Sequence, residues 1–211
     1  MRLILIRHGE SEMNALNKQR KIFNGQAETP LTSLGRQQAI EVGKRLATMP
    51  QFRAELAVSS TIQRSIDTAR IVLEQLPNSV PLHFSDGLRE RSLGDFENRF
   101  ADEVFMEFPQ YRDDPAFKYF RGHFTQKAPG GENLMEVTLR AWKALKEFDE
   151  QCNGDLLFFS HSTTIRCLIG KALELPETEI SDLKIPNASP IILKMENGKY
   201  SLDSSMETNV P

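Results

Sequence analysis

MRLILIRHGESEMN, residues 1–14, sets four apolar side chains in a row, Leu3 to Ile6, directly before Arg7, His8 and Gly9. An unbroken apolar run of this length, with no alternation, reads as a short strand buried on both faces. Such strands belong to parallel sheets covered by helices on either side. In sheets of that kind the reactive groups gather beyond the carboxyl ends of the strands. The opening stretch therefore predicts both a fold class and a place for the chemistry.

Working outward, the same grammar repeats. Thr32 is a plausible N-cap for a helix running to about Thr48, with Ala39, Val42 and Leu46 on one stripe. Glu55 to Ser59 reads as a second strand and Thr61 to Leu76 as a second helix. Pro81 to Phe84 is a weak third strand. Residues 96–127 mix aromatic and charged side chains and predict short helices and loops. After the Pro129-Gly130-Gly131 turn, a long helix is expected from about Glu132 to Gln151, facing inward with Leu134, Val137, Ala141, Leu145 and Phe148. DLLFFS at 155–160 is the plainest strand, followed by a helix from about Thr163 to Leu173. Two last strands flank Asn197-Gly198, a strong hairpin turn. No repeat, low-complexity tract or linker interrupts the chain. The expectation is one α/β domain over residues 1–211, a three-layer α/β/α sandwich with a mostly parallel sheet and an insertion at about 96–130.

Composition narrows the function. A net charge of −3 over 211 residues gives no bulk basic field for nucleic acid or an anionic membrane. An anion site must then be a local cluster of Arg and His. Cys152 and Cys167 form no disulfide framework, and the apolar start is too short for a signal peptide or a membrane span. The cytoplasm is the expected location. Four histidines and two cysteines match no zinc spacing, so no metal site is expected.

The residues that follow the strands make a coherent set. The first strand ends at Arg7-His8, the second at Ser59-Ser60 with Arg64 shortly after, the third precedes Arg89-Glu90, and DLLFFS ends at His161. Arginine forks clamp phosphate oxygens in pairs, a neutral imidazole can attack phosphorus, a second histidine in its cationic form would neutralise charge, and a carboxyl group can move the proton of the leaving oxygen. That kit suits phosphoryl transfer without a metal. A lone histidine after a strand is more often structural, and His83 and His123 are read that way. Glu10, Glu12, Asp95 and Glu97 stand near enough in sequence to be alternatives to Glu90.

The order of the motifs carries a resemblance. RHGES at 7–11, PLTSLGRQQA at 30–39, SSTIQRSIDTA at 59–69, LRERSLGDFEN at 88–98, APGGENLMEVTLR at 128–140 and FSHSTTIR at 159–166 resemble, in sequence order, the blocks of the histidine phosphatase superfamily, also called the phosphoglycerate mutase-like family. The resemblance implies the phosphoglycerate mutase-like fold and a phosphohistidine intermediate on His8. It implies that Arg7, Arg64 and His161 hold the phosphate, that Glu90 is proton donor and then base, and that Asn14 is a further contact. Gly9 would let the backbone pass close to the pocket. Three stretches depart from the pattern. Ser162-Thr163 replaces two glycines, and the Ser162 hydroxyl is a candidate phosphate donor. Asn24 and Gly25 follow Ile22 where the family often carries an arginine, and the longer ALNKQRKIFNG segment nominates Arg20 or Lys21 in its place. FEN at 96–98 replaces WEG.

Within such a family two reactions share one intermediate. A mutase excludes water and would use 2,3-bisphosphoglycerate as cofactor, whereas a phosphatase admits water and needs no cofactor. The family's mutases are usually longer and carry adjacent arginines in the insertion. Here Arg112 is followed by Asp113 and Asp114, which favours the phosphatase. The partner expected is a small phosphate ester, not nucleic acid or membrane. Arg112, Lys118, Arg121, His123 and Lys127 are the basic insertion residues that could meet a second anionic group. The other classes are a catalytically inactive binding module, against which the intact Arg7, His8, Arg64, Glu90 and His161 set argues, a phosphoprotein phosphatase acting on phosphohistidine or phosphotyrosine, and a zinc or magnesium hydrolase, for which the paired carboxylates and ligand spacings are missing.

Overall fold

The computed structural model describes residues 1–113 and 124–203. Its centre is a six-stranded sheet. In chain order the strands are β1 (Arg2–Arg7), β3 (Ala54–Ser60), β4 (Leu82–Ser85), β6 (Asp155–Ser160), β7 (Pro190–Glu196) and β8 (Lys199–Leu202), and they lie side by side as β4-β3-β6-β1-β7-β8. The first four of that order are parallel, and β7 and β8 close one edge antiparallel. The expected hairpin joins β7 to β8. Asn197 and Gly198 take φ of +51° and +77°, the left-handed pair that a tight two-residue turn requires.

Every inner strand is apolar on both sides because both sides are covered. Leu3 and Leu5 of β1, Leu156 and Phe158 of β6 and Val58 of β3 pack with Ala141, Leu145 and Phe148 of α6 (Leu134–Asp149) and Ile165, Leu168 and Ile169 of α7 (Ser162–Ala172). Their neighbours Ile4, Ile6, Leu157, Phe159 and Ala57 point the other way, onto Ala39, Val42 and Leu46 of α2 (Ser33–Ala47) and Ala69 and Val72 of α3 (Gln63–Leu73). The period-two alternation of the strand thus sorts one continuous apolar run into two cores. The three layers are those expected from sequence.

Smaller elements went unforeseen. These are α1 (Glu12–Asn17), α8 (Glu177–Asp182) and the two-residue pairing of β2 (Ile22–Phe23) with β5 (Arg99–Phe100). Within the insertion, α4 (Ala101–Glu107) and α5 (Pro109–Asp113) are described. Phe23, Phe96, Val104 and Ala128 form a third apolar cluster there, against which Phe105, Phe108 and Tyr111 pack. Those aromatic side chains are core of the insertion. Lys118, Arg121 and His123 lie outside the described residues. His83 is exposed and packs its ring against Phe148 at 5.9 Å, as a bland reading required.

Candidate active site

β1 and β6 are direct neighbours in register, Arg7 opposite Ser160. The residues that follow each strand are therefore brought together at one edge. The rings of His8 and His161 stand 5.1 Å apart, and both are buried. β3 lies on the far side of β6, and Ser60 at its end meets His161 Nε2 through its hydroxyl at 2.9 Å. Three adjacent strand ends thus contribute to one point.

The backbone of β1 is pinned where it leaves the sheet. Gly9 N donates to Thr68 Oγ1 at 3.0 Å, and Asn187 Nδ2 donates to the His8 carbonyl at 2.9 Å. A Cβ on Gly9 would sit 2.2 Å from the Gly35 carbonyl oxygen, and one on Gly35 would sit 2.0 Å from that of Glu10. Two glycines therefore let the β1 tip and the first turn of α2 touch backbone to backbone. The expectation for Gly9 is corrected in this respect: its close approach is to α2, not to the cleft.

The side chain of His8 is fixed at both nitrogens. Nδ1 lies 2.7 Å from the Gly9 carbonyl, an acceptor, so Nδ1 carries the hydrogen. Arg64 Nε donates to Nε2 at 3.2 Å, so Nε2 presents its lone pair. Burial, with Arg64 and Arg7 close by, holds the His8 pKa well below that of a free histidine. Arg64 is itself 1 % exposed and gives its Nη1 to the Ala27 carbonyl at 2.7 Å and its Nη2 to the Gly25 carbonyl at 3.1 Å. Burial again, then Arg64, His8 and Arg7, hold the His161 pKa well below the usual value while no anion is bound. Burial lowers Arg7 to about 10, which leaves it charged at neutral pH.

A cleft of about 210 Å³ opens over this point, lined by Arg7, His8, Arg64, Arg91 and Arg166 among others. Four arginines line it, and Glu90 is the one carboxylate residue on its wall among the described residues. Glu10, a rival to Glu90, is turned onto Lys18 and Thr32. Glu97 accepts from Leu93 N at 2.8 Å, and neither Glu12 nor Asp95 lines the cleft. Among the described residues, Arg7 Nε, Arg166 Nε, His161 Nδ1 and the Asn24 amide oxygen are buried without a partner. Buried polar groups normally have one. The unsatisfied Arg7 and Arg166 donors, beside four arginines and one carboxylate, fit a compact anion.

Residues 3–208 match the family described as the histidine phosphatase superfamily, branch 1. The chain belongs to that superfamily. It is 30% identical over 194 residues to a 2,3-bisphosphoglycerate-dependent phosphoglycerate mutase of Bartonella henselae, covering 90% of each chain. Its fold is similar to a mycobacterial glucosyl-3-phosphoglycerate phosphatase (TM-score 0.81, 25% identity, 96% of each chain). It is equally similar to the YhfR protein of Bacillus stearothermophilus (TM-score 0.81, 26% identity, 100% of this chain and 98% of that one). The family match spans all six sequence blocks that resemble the histidine phosphatase superfamily.

Most of the other nominated residues also reach the cleft of this superfamily member. Asn14, Asn24, Gly25 and Ser162 line it. Asn14 Oδ1 accepts from Ser11 N at 3.2 Å and from Asn187 Nδ2 at 3.1 Å, which leaves its NH2 group as the remaining donor. Gly25, at φ +53°, lends its carbonyl to Arg64. Arg20 is not brought there. Its guanidinium bonds Asp102 at 2.8 Å and Glu103 at 2.9 Å and lies 3.6 Å over the Phe100 ring, so it ties the segment before β2 to α4. Nor do Arg112 and Lys127 line the cleft, and Lys127 pairs with Glu136 at 2.6 Å.

Sequence reasoning missed Arg91, Arg166 and Asn187. Arg91 adjoins Glu90, and Arg166 stands one turn beyond Ser162 on a helix that starts at the site, so both had a positional signal. Asn187 had none, because it arrives from a loop far along the chain.

Proposed function

We propose that this protein is a metal-independent phosphomonoesterase that hydrolyses small phosphorylated metabolites through a phosphohistidine on His8. The observation that carries the reading is the fixed tautomer of His8. Its Nε2 lone pair is presented beside Arg7 and Arg64 while Nδ1–H is held by a carbonyl. A neutral imidazole oriented this way is a nucleophile needing no proton removal.

In the first half-reaction Nε2 forms a bond to phosphorus and the ester P–O bond breaks. Glu90 gives its proton to the departing alkoxide. The ring becomes cationic, and its Nδ1–H stays on the Gly9 carbonyl. Arg7, Arg64, His161 and the Asn14 NH2 group hold the three equatorial oxygens, where charge accumulates. In the second half-reaction the Glu90 carboxylate takes a proton from water. The water oxygen attacks phosphorus, the P–N bond breaks, and neutral His8 and inorganic phosphate result. No step needs a cofactor. Ser162 and Arg166, which also line the cleft, extend the donor set beyond the transferred phosphoryl group, which suits a substrate with a second anionic group. Such a substrate is a small soluble molecule of the cytoplasm, not nucleic acid or membrane.

The mutase reading, with 2,3-bisphosphoglycerate as cofactor, is the alternative, supported by the Bartonella relative. The absence of adjacent arginines in the insertion and the similarity to a glucosyl-3-phosphoglycerate phosphatase support hydrolysis. The test is phosphate release from p-nitrophenyl phosphate and 3-phosphoglycerate, with chelator present, for wild type and His8→Ala. Turnover by the wild type alone supports the phosphatase. No release, with mutase activity once 2,3-bisphosphoglycerate is added, would replace it by the alternative. Silence in both assays would leave an inactive binding module.

A further inference from the structure

The Arg140–Glu132 pair lies outside the cleft lining, and none of the phosphoryl chemistry above uses it. Arg140 Nε donates to Glu132 Oε1 at 2.7 Å and Nη2 to Oε2 at 2.9 Å, a two-pronged pair. The other guanidinium contacts are all backbone carbonyls of one short segment. Nη1 donates to Gly87 O and Arg89 O, both at 2.8 Å, and Nη2 to Glu90 O at 3.0 Å. Five contacts thus match the five N–H donors of an arginine. Glu132 closes the same segment from its other end, accepting from Ser92 N at 2.8 Å.

That segment is the one that carries Glu90. It leaves β4 through a single 3-10 turn at Asp86–Leu88, whose last carbonyls have no partner within the turn. Ser160 Oγ takes up Leu88 O at 2.7 Å and Thr164 Oγ1 takes up Arg89 O at 2.6 Å, one bond each. Arg140 supplies three from a single rigid fork. The Glu90 carboxyl group then reaches Thr163 N, 3.2 Å from Oε2, at the start of α7. Because Glu132 cancels the charge of Arg140, the clamp sets backbone position without adding net charge beside the acid.

We propose that Arg140, oriented by Glu132, is a positioning residue that places Glu90 for proton transfer to the leaving oxygen. The inference rests on the reading of Glu90 as that acid. A displacement of about 1 Å can cost on the order of 100-fold in rate, so three bonds to the segment that carries the acid, one of them to Glu90 O beside that from Gln26 Nε2 at 2.8 Å, are matched to the need.

The test uses the dependence on the leaving group. An alkyl ester such as 3-phosphoglycerate needs its alkoxide protonated, whereas p-nitrophenolate departs without help. Values of kcat/KM, which report the first half-reaction, are measured on both esters for wild type, Arg140→Met, Arg140→Lys, Glu132→Gln and Glu90→Gln. Inhibition by inorganic phosphate is the check on the intact anion clamp. The expected result is a loss of about 100-fold on 3-phosphoglycerate and under about 3-fold on p-nitrophenyl phosphate for Arg140→Met, at the lower end of the range of general acid catalysis. Arg140→Lys and Glu132→Gln should fall between, with phosphate inhibition unchanged in all. Glu90→Gln should show the same selectivity more strongly. Equal losses on both esters for the Arg140 and Glu132 variants, or none, would overturn the positioning role. Equal losses in Glu90→Gln would instead overturn Glu90 as the acid, and the inference with it. If Arg140→Met fails to fold, Arg140→Lys and Glu132→Gln decide the question.

Discussion

Arg64 Nε donates to His8 Nε2 at 3.2 Å, joining two residues 56 positions apart. Arginine has no other role to offer that nitrogen, since it cannot accept. The contact therefore fixes the imidazole with its lone pair outward and marks where an anion would displace the arginine onto its own oxygens. Arg64→Ala should lower kcat/KM by about 100- to 1000-fold, the cost of one pre-placed donor at a developing charge. Arg64→Lys should recover little, because an ammonium group cannot hold the Gly25 and Ala27 carbonyls and the phosphate together. Steady-state kinetics on p-nitrophenyl phosphate checks this, and a variant within threefold of wild type would remove Arg64 from the clamp.

The two buried histidines predict a pH-dependent stability. Each is held neutral, with a folded pKa well below the unfolded value of about 6.5. Below that pH the unfolded chain binds protons that the folded chain refuses, so stability falls as pH falls, by up to about 1.4 kcal/mol per pH unit for each histidine. The ligand-free protein should lose Tm between pH 7.5 and pH 5.5 more steeply than His8→Asn or His161→Asn. Parallel curves for wild type and both variants would contradict the neutral pair.

Gly35 is the substitution that should damage the site without touching it. A Cβ there would lie 2.0 Å from the Glu10 carbonyl oxygen, backbone that cannot step aside without moving the end of β1. Gly35→Ala should destabilise the fold by at least about 1–3 kcal/mol, the usual range for overpacking, and lower activity as well. Unchanged chemical denaturation would show that the α2 contact is looser than described.

Asn187→Ala should weaken the nucleophile's support. It would leave the His8 carbonyl without its 2.9 Å donor and Asn14 without its 3.1 Å donor. Losing one buried partner costs about 1–3 kcal/mol. The measurement is thermal unfolding alongside the KM for p-nitrophenyl phosphate. A variant with wild-type Tm and KM would mean that Asn187 is not a support.

The fold was legible where side chains keep a long period. β1, β6 and α6 announce themselves because each buries a continuous or helical stripe against a core. α1 buries none of its residues and α8 only Ile180, so neither leaves a periodic trace. α1 is held instead by reciprocal bonds between Ser11 and Asn14, which looks like ordinary loop sequence. The β2–β5 ribbon is two residues long and is made by pairing across the chain. The site was legible where reactive residues follow strands, as His8, Arg64, Glu90 and His161 do. Arg20 misled because a basic residue beside a short insertion carries no sign of which way it turns, and two acidic residues on α4 turned it away. Arg140 sat in a recognised block together with its partner Glu132, yet its three other contacts are carbonyls, which no side-chain pattern reveals.

The central claim is that phosphorus bonds to His8 Nε2 during turnover. The direct measurement is rapid quenching of the enzyme with a 32P-labelled phosphomonoester, followed by mass spectrometric location of the label. The account predicts an acid-labile, base-stable phosphate on His8, formed within one turnover, and no label in His8→Asn. A wild-type enzyme that turns over without labelling His8, or a His8→Asn variant that keeps its rate, would contradict it.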